Sequence, residues 1–202
     1  MWRTLILPTV GAFEIREYDR GWPDAFRDAA GRLRMALGEN ADRIDHIGST
    51  SVPGLASKDV IDIQVSVEDR TDLESVAHTL EEAGWTLWHG VASDHAVPGL
   101  PRDERVWQKV FLREPPGYRR MNVHVRVLGQ ANQRYPLLFR DYLRGHPHSA
   151  RAYATLKKEL ALLLPDDLDH YTDVKDAACD LIYFAAEAWA QTIGWNPGPS
   201  DG

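Results

Sequence analysis

Two segments with a two-residue hydrophobic period constrain the fold of this chain more than any other feature. Residues 60–67 place apolar side chains at the odd positions, with Asp62 and Gln64 between them. Residues 121–128 repeat the pattern, with His124 among the polar positions. Because successive side chains on a strand point to opposite faces, each segment is predicted to be a strand with one apolar face. If the two strands are neighbours, Asp62 and His124 converge on one pocket.

Helical periodicity surrounds these strands. A first helix is predicted over residues 23–37, with proline in its first turn and Gly38 as its stop. Thr71 and Glu74 have the spacing of a capping box at the start of a second helix. The chain after Gly129 is mainly helical. The buried stripe of its last helices is predicted to comprise Leu156, Leu160, Leu181, Ala185 and Trp189.

Three further segments, 43–47, 85–91 and 106–113, have the character of strands. The fold class is therefore α/β (or α+β): a mixed β-sheet flanked by helices, with a C-terminal helical extension. We expect residues 1–129 to form the α/β core and residues 130–195 to form a helical region packed on it. Residues 196–202 contain little that could be buried, so a flexible tail is expected there.

Composition excludes several classes of function. The 202 residues include 23 Lys and Arg against 30 Asp and Glu, a net charge of −7, which argues against non-specific nucleic-acid binding. Cys179 is the single cysteine, so neither an intramolecular disulfide nor a multi-thiolate metal site is possible. No uncharged stretch approaches the roughly 18 residues of a membrane span. We expect a cytoplasmic protein without a membrane partner, of undetermined oligomeric state.

The loop that begins at His46 (His-Ile-Gly-Ser-Thr-Ser-Val-Pro-Gly) is the first candidate site. Gly48 allows the backbone to come close to an anion, and the hydroxyl of Ser49 adds a donor, so this loop could bind a phosphate. It lacks the lysine of a Walker loop. An ordinary strand-to-helix connection would use the same residue types.

Asp62 is the second candidate, because an ionised carboxylate within an apolar strand needs a cation, a hydrogen-bond network or a metal ion. A solvated sheet face is the alternative explanation for Asp62, and a structural role is the alternative for His124. Lys58 and Lys109 are candidate phosphate cations, although each could equally serve surface solubility.

Residues 46–62 resemble the signature of the GrpB family, a branch of the nucleotidyltransferase superfamily. The resemblance continues through residues 122–125, 139–147, 153–157 and 171–175, and it covers roughly residues 14–190. The family includes stand-alone bacterial proteins and domains fused to dephospho-CoA kinase. The resemblance therefore implies a nucleotidyltransferase-like fold for almost the whole chain.

The superfamily pattern places Gly-Ser on a turn, two acids on the next strand and a third ligand on a later strand. These acids hold divalent metals that activate a hydroxyl for attack on a phosphate. By this resemblance, Asp62 and His124 are the predicted catalytic residues. Asp62, Gln64 and His124 are the predicted ligands of Mg²⁺ or Mn²⁺, or of Zn²⁺. Gln64 stands where the second acid is expected, and its neutral amide weakens Mg²⁺ binding.

The predicted partner is a nucleotide or another phosphorylated small molecule. Three functions remain open: transfer of a nucleotidyl or phosphoryl-containing group to an unknown acceptor, non-catalytic binding of a nucleotide or phosphoester, and an interaction domain with a relic pocket. The predicted phosphate-binding residues are His46, Gly48, Ser49, Thr50, Lys58, Lys109 and Lys175.

Overall fold

The computed structural model describes residues 13–202, and this part of the chain contains five strands and five α-helices. A short 3-10 turn, Ser49–Ser51, follows the first strand. In chain order the elements are α1 (Trp22–Leu37), β1 (Arg43–Ile47), β2 (Ile61–Val67), α2 (Asp72–Glu82), β3 (Thr86–Leu87), β4 (Val110–Arg113), β5 (Met121–Val127), α3 (Ala131–Gly145), α4 (Pro147–Leu163) and α5 (Leu168–Ile193).

The five strands form one mixed sheet in the order β1-β2-β5-β4-β3. β2 and β5 run parallel, and the other neighbouring pairs are antiparallel. In the β2–β5 register, Asp62 pairs with Asn122 and Gln64 pairs with His124. Paired residues lie on the same face of a sheet, so the polar positions of both strands share one face. The mixed α/β architecture expected from the sequence is confirmed.

The apolar face of the sheet is covered by α1 and α2. The odd-numbered side chains of β2 and β5 join Phe26 and Leu33 of α1 and Val76 of α2 in a buried core. Gly38 ends α1 with a positive φ of 53°, as the sequence predicts. None of the helices in residues 13–202 combines the length and apolar character needed to cross a lipid bilayer.

Helices α3, α4 and α5 pack against one another, and α3 also contacts β1 and β5 on the polar face of the sheet. The predicted buried stripe is only partly right. Leu160 is buried, but Leu181 is 74% exposed and Ala185 is exposed. The core face of α5 instead carries Tyr183, with Ala186 and Ala190. Leu181 and Ala185 lie two residues from Tyr183, about 200° around the helix, and therefore face away from the core.

The last residues of the chain contact the outer edge of β1. Ser200 Oγ accepts a hydrogen bond from the Ile44 backbone N–H at 2.9 Å. Asp201 Oδ2 accepts from the His46 backbone N–H at 3.0 Å and from the Arg140 guanidinium at 2.6 Å. The segment expected to be a flexible tail therefore makes specific hydrogen bonds to β1 and α3. Its polar side chains satisfy donors of the edge strand, a role that its lack of apolar residues does not reveal.

Two local expectations also fail. Thr71 precedes α2, but its side chain makes no capping bond; Asp69 instead accepts from the backbone N–H and the hydroxyl of Thr71. The strand predicted over residues 85–91 is limited to Thr86–Leu87. The chain turns away at Gly90 and continues into the loop between β3 and β4, hereafter the 92–109 loop. The residues of that loop prove important for the polar face.

Candidate functional site

The turn after β1 brings its backbone directly onto Asp62. Gly48 has a φ of 69°, which is unfavourable for residues with a side chain. A Cβ at this position would lie 2.4 Å from Asp62 Oδ2. Glycine is therefore required here twice, once for backbone conformation and once for the close approach to the carboxylate.

Two predicted phosphate-binding residues of this loop are buried and bonded to each other. His46 Nε2 and Thr50 Oγ1 are 3.0 Å apart, and Thr50 is fully buried. The His46 ring stacks on Phe26 with a centroid separation of 4.7 Å. Burial lowers the pKa of His46 to about 4, so the ring is neutral at pH 7. His46 and Thr50 therefore support the turn from inside and are not placed to meet a ligand.

Asp62 is the carboxylate at the open part of the polar face. Its side chain is 28% exposed, and Oδ1 accepts a hydrogen bond of 2.8 Å from the Asn122 amide. Burial opposes its ionisation, but the neighbouring His124, the Asn122 hydrogen bond and the charge of Lys58 outweigh that effect. The pKa of Asp62 consequently lies below its ordinary value, and the group is ionised at neutral pH.

Gln64 lies on the same face as Asp62 but is fully buried. Its Oε1 accepts from the Arg126 guanidinium at 2.8 Å, and its Nε2 donates to the Gln133 backbone carbonyl at 3.0 Å. Both ends of the amide are therefore in use. The expectation that Gln64 contributes to a metal site does not fit this arrangement, because a guanidinium occupies the position that the cation would need.

His124 sits beside Asp62, with Nε2 3.9 Å from Asp62 Oδ1. Its other ring nitrogen, Nδ1, faces the Lys109 ammonium at 3.4 Å and the Arg126 guanidinium at 3.3 Å. Burial and then the charge of Arg126 lower the pKa of His124 to about 4, against the opposing influence of Asp62. The alternation of polar residues correctly predicts that Asp62 and His124 share one face, whereas their chemical roles stay predictions.

Asp94, in the 92–109 loop, neutralises the two cations beside His124. Its carboxylate accepts two hydrogen bonds of 2.8 Å from Arg126, one of 2.6 Å from Lys109 and one of 3.1 Å from the Asn132 amide. Burial opposes ionisation of Asp94, but Arg126 and Lys109 hold the pKa of its carboxyl far below the ordinary value. Lys109 is only 7% exposed, so its ammonium is engaged inside the protein. The expectation that Lys109 binds phosphate is not supported by this placement.

A second group of cations lies around Lys157, which contacts Ser49. Lys157 of α4 donates to Ser49 Oγ at 2.8 Å and to the Ala56 carbonyl at 2.6 Å. The residue is buried, with an exposed fraction of 3%. Lys58 lies over the Tyr171 ring at 4.8 Å. Lys58, Lys157 and Lys175 are mutually close enough that their charges affect one another's ionisation.

The ionisation of these lysines follows from burial. Burial lowers the pKa of Lys157 to about 7, with Lys175 and Lys58 contributing in the same direction. Burial and the charge of Lys175 also lower the pKa of Lys58. Lys175 itself pairs with Asp176. In residues 13–202, neither Lys58 nor Lys157 lies within ion-pair distance of an acidic side chain.

Three residues of the site were missed by reasoning from the sequence: Asn122, Asp94 and Lys157. Lys157 had a usable signal, because it falls on the apolar stripe of α4 together with Tyr153 and Leu160. A lysine at a core position of an amphipathic helix indicates a buried ammonium with a specific partner. Asp94 had no such signal, since nothing in its surroundings distinguishes it from other loop acids.

The residues on the polar face do not fit a divalent metal. Asp62 supplies one free carboxylate, the Gln64 oxygen is taken by Arg126, and two cations flank His124 Nδ1. Across the described chain, no group of three or more His, Cys, Asp and Glu side chains is placed to hold a metal ion. Mg²⁺ and Mn²⁺ require several oxygen ligands, and Zn²⁺ requires at least three protein ligands, so the residues present do not fit the predicted metal site.

Two surface cavities lie away from these residues. One of about 330 Å³ is lined by Arg43, Gln133 and Trp195 among others, and one of about 400 Å³ is lined by residues including Phe13 and Lys158. Neither contains Asp62, His124 or Ser49. Charged side chains with shifted pKa values concentrate at the polar face of the sheet. These ionisable groups, and not the size of a cavity, identify the candidate site.

Comparisons with known proteins agree with the sequence motifs. The crystal structure of the conserved protein GrpB from Enterococcus faecalis is 34% identical and superposes with a TM-score of 0.70, covering 87% of this chain and 99% of that chain. A UPF0157 protein of Halalkalibacterium halodurans is 32% identical over 181 residues, covering 90% of this chain and 86% of that protein.

A third relative is a dephospho-CoA kinase of Mycolicibacterium paratuberculosis, 34% identical over 192 residues, which cover 89% of this chain and 47% of the kinase. The chain thus spans about half the length of these curated kinase relatives. The family described as GrpB protein matches residues 12–184, which is most of the chain. The chain belongs to the GrpB family.

Proposed function

We propose that this chain binds a phosphorylated small molecule, a nucleotide or a related phosphoester, at the turn after β1. The observation that carries the proposal is Lys157, whose buried ammonium contacts Ser49 Oγ at 2.8 Å. Burying an ammonium costs free energy unless the group is paired with a negative charge and hydrogen-bonded. A ligand phosphate beside Ser49 would supply the missing negative charge.

The balance of charge around Ser49 supports this proposal. Lys58 and Lys157 have no acidic partner within ion-pair distance in the described residues. Asp62 is the nearby acid whose charge opposes theirs. Lys58, Lys157 and Lys175 face only two carboxylates, Asp62 and the Asp176 that pairs with Lys175, and this excess of positive charge favours an anion in a partly desolvated environment.

The donors available for a phosphate also support it. An ammonium has three N–H groups, and Ser49 and Ala56 account for two of those on Lys157. Ser49 Oγ accepts from Lys157, so its own O–H can be donated to a ligand. Hydrogen bonds between charged donors and phosphate oxygens are stronger than neutral ones.

Transfer of a nucleotidyl or phosphoryl-containing group to an acceptor is the second candidate function. The ionised Asp62 favours it, because this carboxylate has one hydrogen bond from Asn122 and could accept a proton from an acceptor hydroxyl. Such a reaction would proceed without a resident metal, since the residues present do not fit one. The kinase activity named for the longer relatives belongs to proteins about twice as long, and their substrate class suggests dephospho-CoA as one ligand to test.

Calorimetry in the presence of a metal chelator tests the binding proposal. The ligands are pyrophosphate, AMP, ATP and dephospho-CoA, each titrated into the wild type, Lys157→Met and Ser49→Ala. Lys158→Met is a matched control, because Lys158 neighbours Lys157 on α4 but points outward and pairs with Glu17. A hydrogen bond to a charged group contributes about 1.5–3 kcal/mol, so Lys157→Met should weaken binding roughly ten- to hundredfold.

Equal affinity of the wild type and Lys157→Met would contradict the proposed site. Absence of binding by every ligand would reject the function itself. Product analysis of the same mixtures separates the two candidates: turnover that survives chelation and is lost in Asp62→Asn supports transfer. Binding without turnover supports the non-catalytic function.

A further inference from the structure

The surroundings of His124 Nδ1 determine where its ring proton lies. The Lys109 ammonium at 3.4 Å and an Arg126 nitrogen at 3.3 Å both face this atom. Lysine and arginine carry only donors, so Nδ1 must offer its lone pair to them. A neutral imidazole has a single N–H, and that proton consequently lies on Nε2.

The two cations cannot readily move away from Nδ1. Asp94 binds Arg126 through two hydrogen bonds and Lys109 through a third, and Asn132 donates to the same carboxylate. Arg126 is further held by Gln64 Oε1 at 2.8 Å. All these groups are buried or nearly so. The 92–109 loop contributes Asp94 and Lys109, β5 contributes Arg126 and α3 contributes Asn132 to this fixed cluster.

We infer that this cluster positions His124 as a fixed Nε2–H donor directed at Asp62, and that His124 is not a metal ligand. Coordination through Nε2 would require the proton to move to Nδ1, against two cations. The 3.9 Å between His124 Nε2 and Asp62 Oδ1 is too long for a hydrogen bond. The Nε2–H donor therefore remains free for a ligand oxygen that lies to one side of the pair, within reach of both groups. The inference concerns the tautomer of the free protein. It does not depend on which phosphoester the site binds.

Lys109, Arg126 and Asp94 are positioning residues in this account. The charged groups that face the His124 ring are Asp62 on the Nε2 side and Lys109, Arg126 and Asp94 on the Nδ1 side. The Phe111 ring packs against it with a centroid distance of 5.0 Å. Among the described residues, no acceptor for an Nδ1–H lies within hydrogen-bond distance of His124.

NMR of the ¹⁵N-labelled protein tests the inference, because long-range proton–nitrogen correlations distinguish the two neutral tautomers of histidine. His146 is an internal control. Its Nδ1 lies 2.7 Å from the Tyr142 backbone carbonyl, which can only accept, so His146 should show the opposite tautomer. Spectra at pH 8, assigned with His124→Gln and His146→Gln, should show Nε2–H for His124 and Nδ1–H for His146.

Three further measurements make the test decisive. Zn²⁺ should leave the His124 signals unchanged, and Lys109→Met should increase the population of the Nδ1–H form by at least a few fold. When calorimetry shows that pyrophosphate is bound, the Nε2–H signals should move. A wild-type His124 in the Nδ1–H form, or one that coordinates Zn²⁺, would overturn the inference with no variant needed. Signals unchanged by bound pyrophosphate would remove the donor role, whereas failure of all ligands to bind would count against the proposed function alone.

Discussion

The buried ammonium of Lys157 should make the stability of this protein depend on pH in a specific direction. The pKa of this lysine falls from 10.5 to about 7 on folding. Between those values the unfolded chain binds one proton more than the folded protein, so the free energy of unfolding rises with pH. Below pH 7 both states are protonated, and the contribution of Lys157 becomes constant.

The magnitude follows from linkage. Between pH 7 and 8.5, loss of this one proton from the folded state adds about 1.5 kcal/mol of stability, with a limiting slope of about 1.4 kcal/mol per pH unit. The residue is only 3% exposed, so solvent screening does not reduce the effect much. This pH range lies below the ordinary pKa of tyrosine and ends at that of cysteine; Cys179 is present in every variant, so comparison between variants limits its interference.

Urea denaturation of the wild type, Lys157→Met and Lys158→Met at four pH values measures the effect. Methionine has a similar length and no charge, so Lys157→Met should lose about 1 kcal/mol per pH unit of the slope above pH 7.5. Lys58 and Lys109 also have lowered pKa values, and taking the difference between variants removes their contribution. Lys158→Met should behave as the wild type. If Lys157→Met retains the full slope, then Lys157 is not the buried cation that we describe.

Three other perturbations address separate parts of the site. Gly48→Ala should destabilise the protein by about 2 kcal/mol or more, because its Cβ would meet Asp62 Oδ2 at 2.4 Å and its φ is positive. An unchanged melting temperature in thermal denaturation would contradict both features. Gln64→Glu should keep its contact with Arg126 but lose the hydrogen bond donated to the Gln133 carbonyl, which should lower the free energy of unfolding by about 1–3 kcal/mol. Calorimetry with Mn²⁺ should detect no new metal site in this variant. His46 has a folded pKa of about 4 against 6.5 unfolded, so its contribution to stability should fall by about 3 kcal/mol as the pH drops from 7 to 4. In denaturation experiments, His46→Gln should lack that part of the acid sensitivity.

The sequence predicts the sheet face well because alternation is a local property. Asp62, Gln64 and His124 have the same parity on two strands, and one parallel register is sufficient to place them together. What alternation cannot predict is the partner of each polar group. The Gln64 amide becomes a structural bridge only because Arg126 reaches it from the next strand.

Long-range contacts account for the remaining differences. Lys157 reaches Ser49 from a helix 108 residues later in the chain, and Asp94 reaches Arg126 from a loop. The predicted buried face of α5 is only partly right because this helix has apolar residues on several sides: Trp189 packs against the core, whereas Leu181 and Phe184 are exposed. The buried side is the one on which Tyr183 packs against Tyr135 of α3, with ring centroids 4.3 Å apart, a contact between distant parts of the chain.

The contacts of the last residues with β1 have a consequence for self-association. An uncovered edge strand can pair with another polypeptide, and proteins commonly block such edges. Gly202 donates its backbone N–H to the Ile44 carbonyl, while Ser200 and Asp201 accept from Ile44 and His46. At the opposite edge, β3 has only two residues, Thr86–Leu87. Neither edge of the sheet therefore offers a long row of free backbone groups, so addition of a strand from a second copy is disfavoured as long as residues 200–202 keep their place.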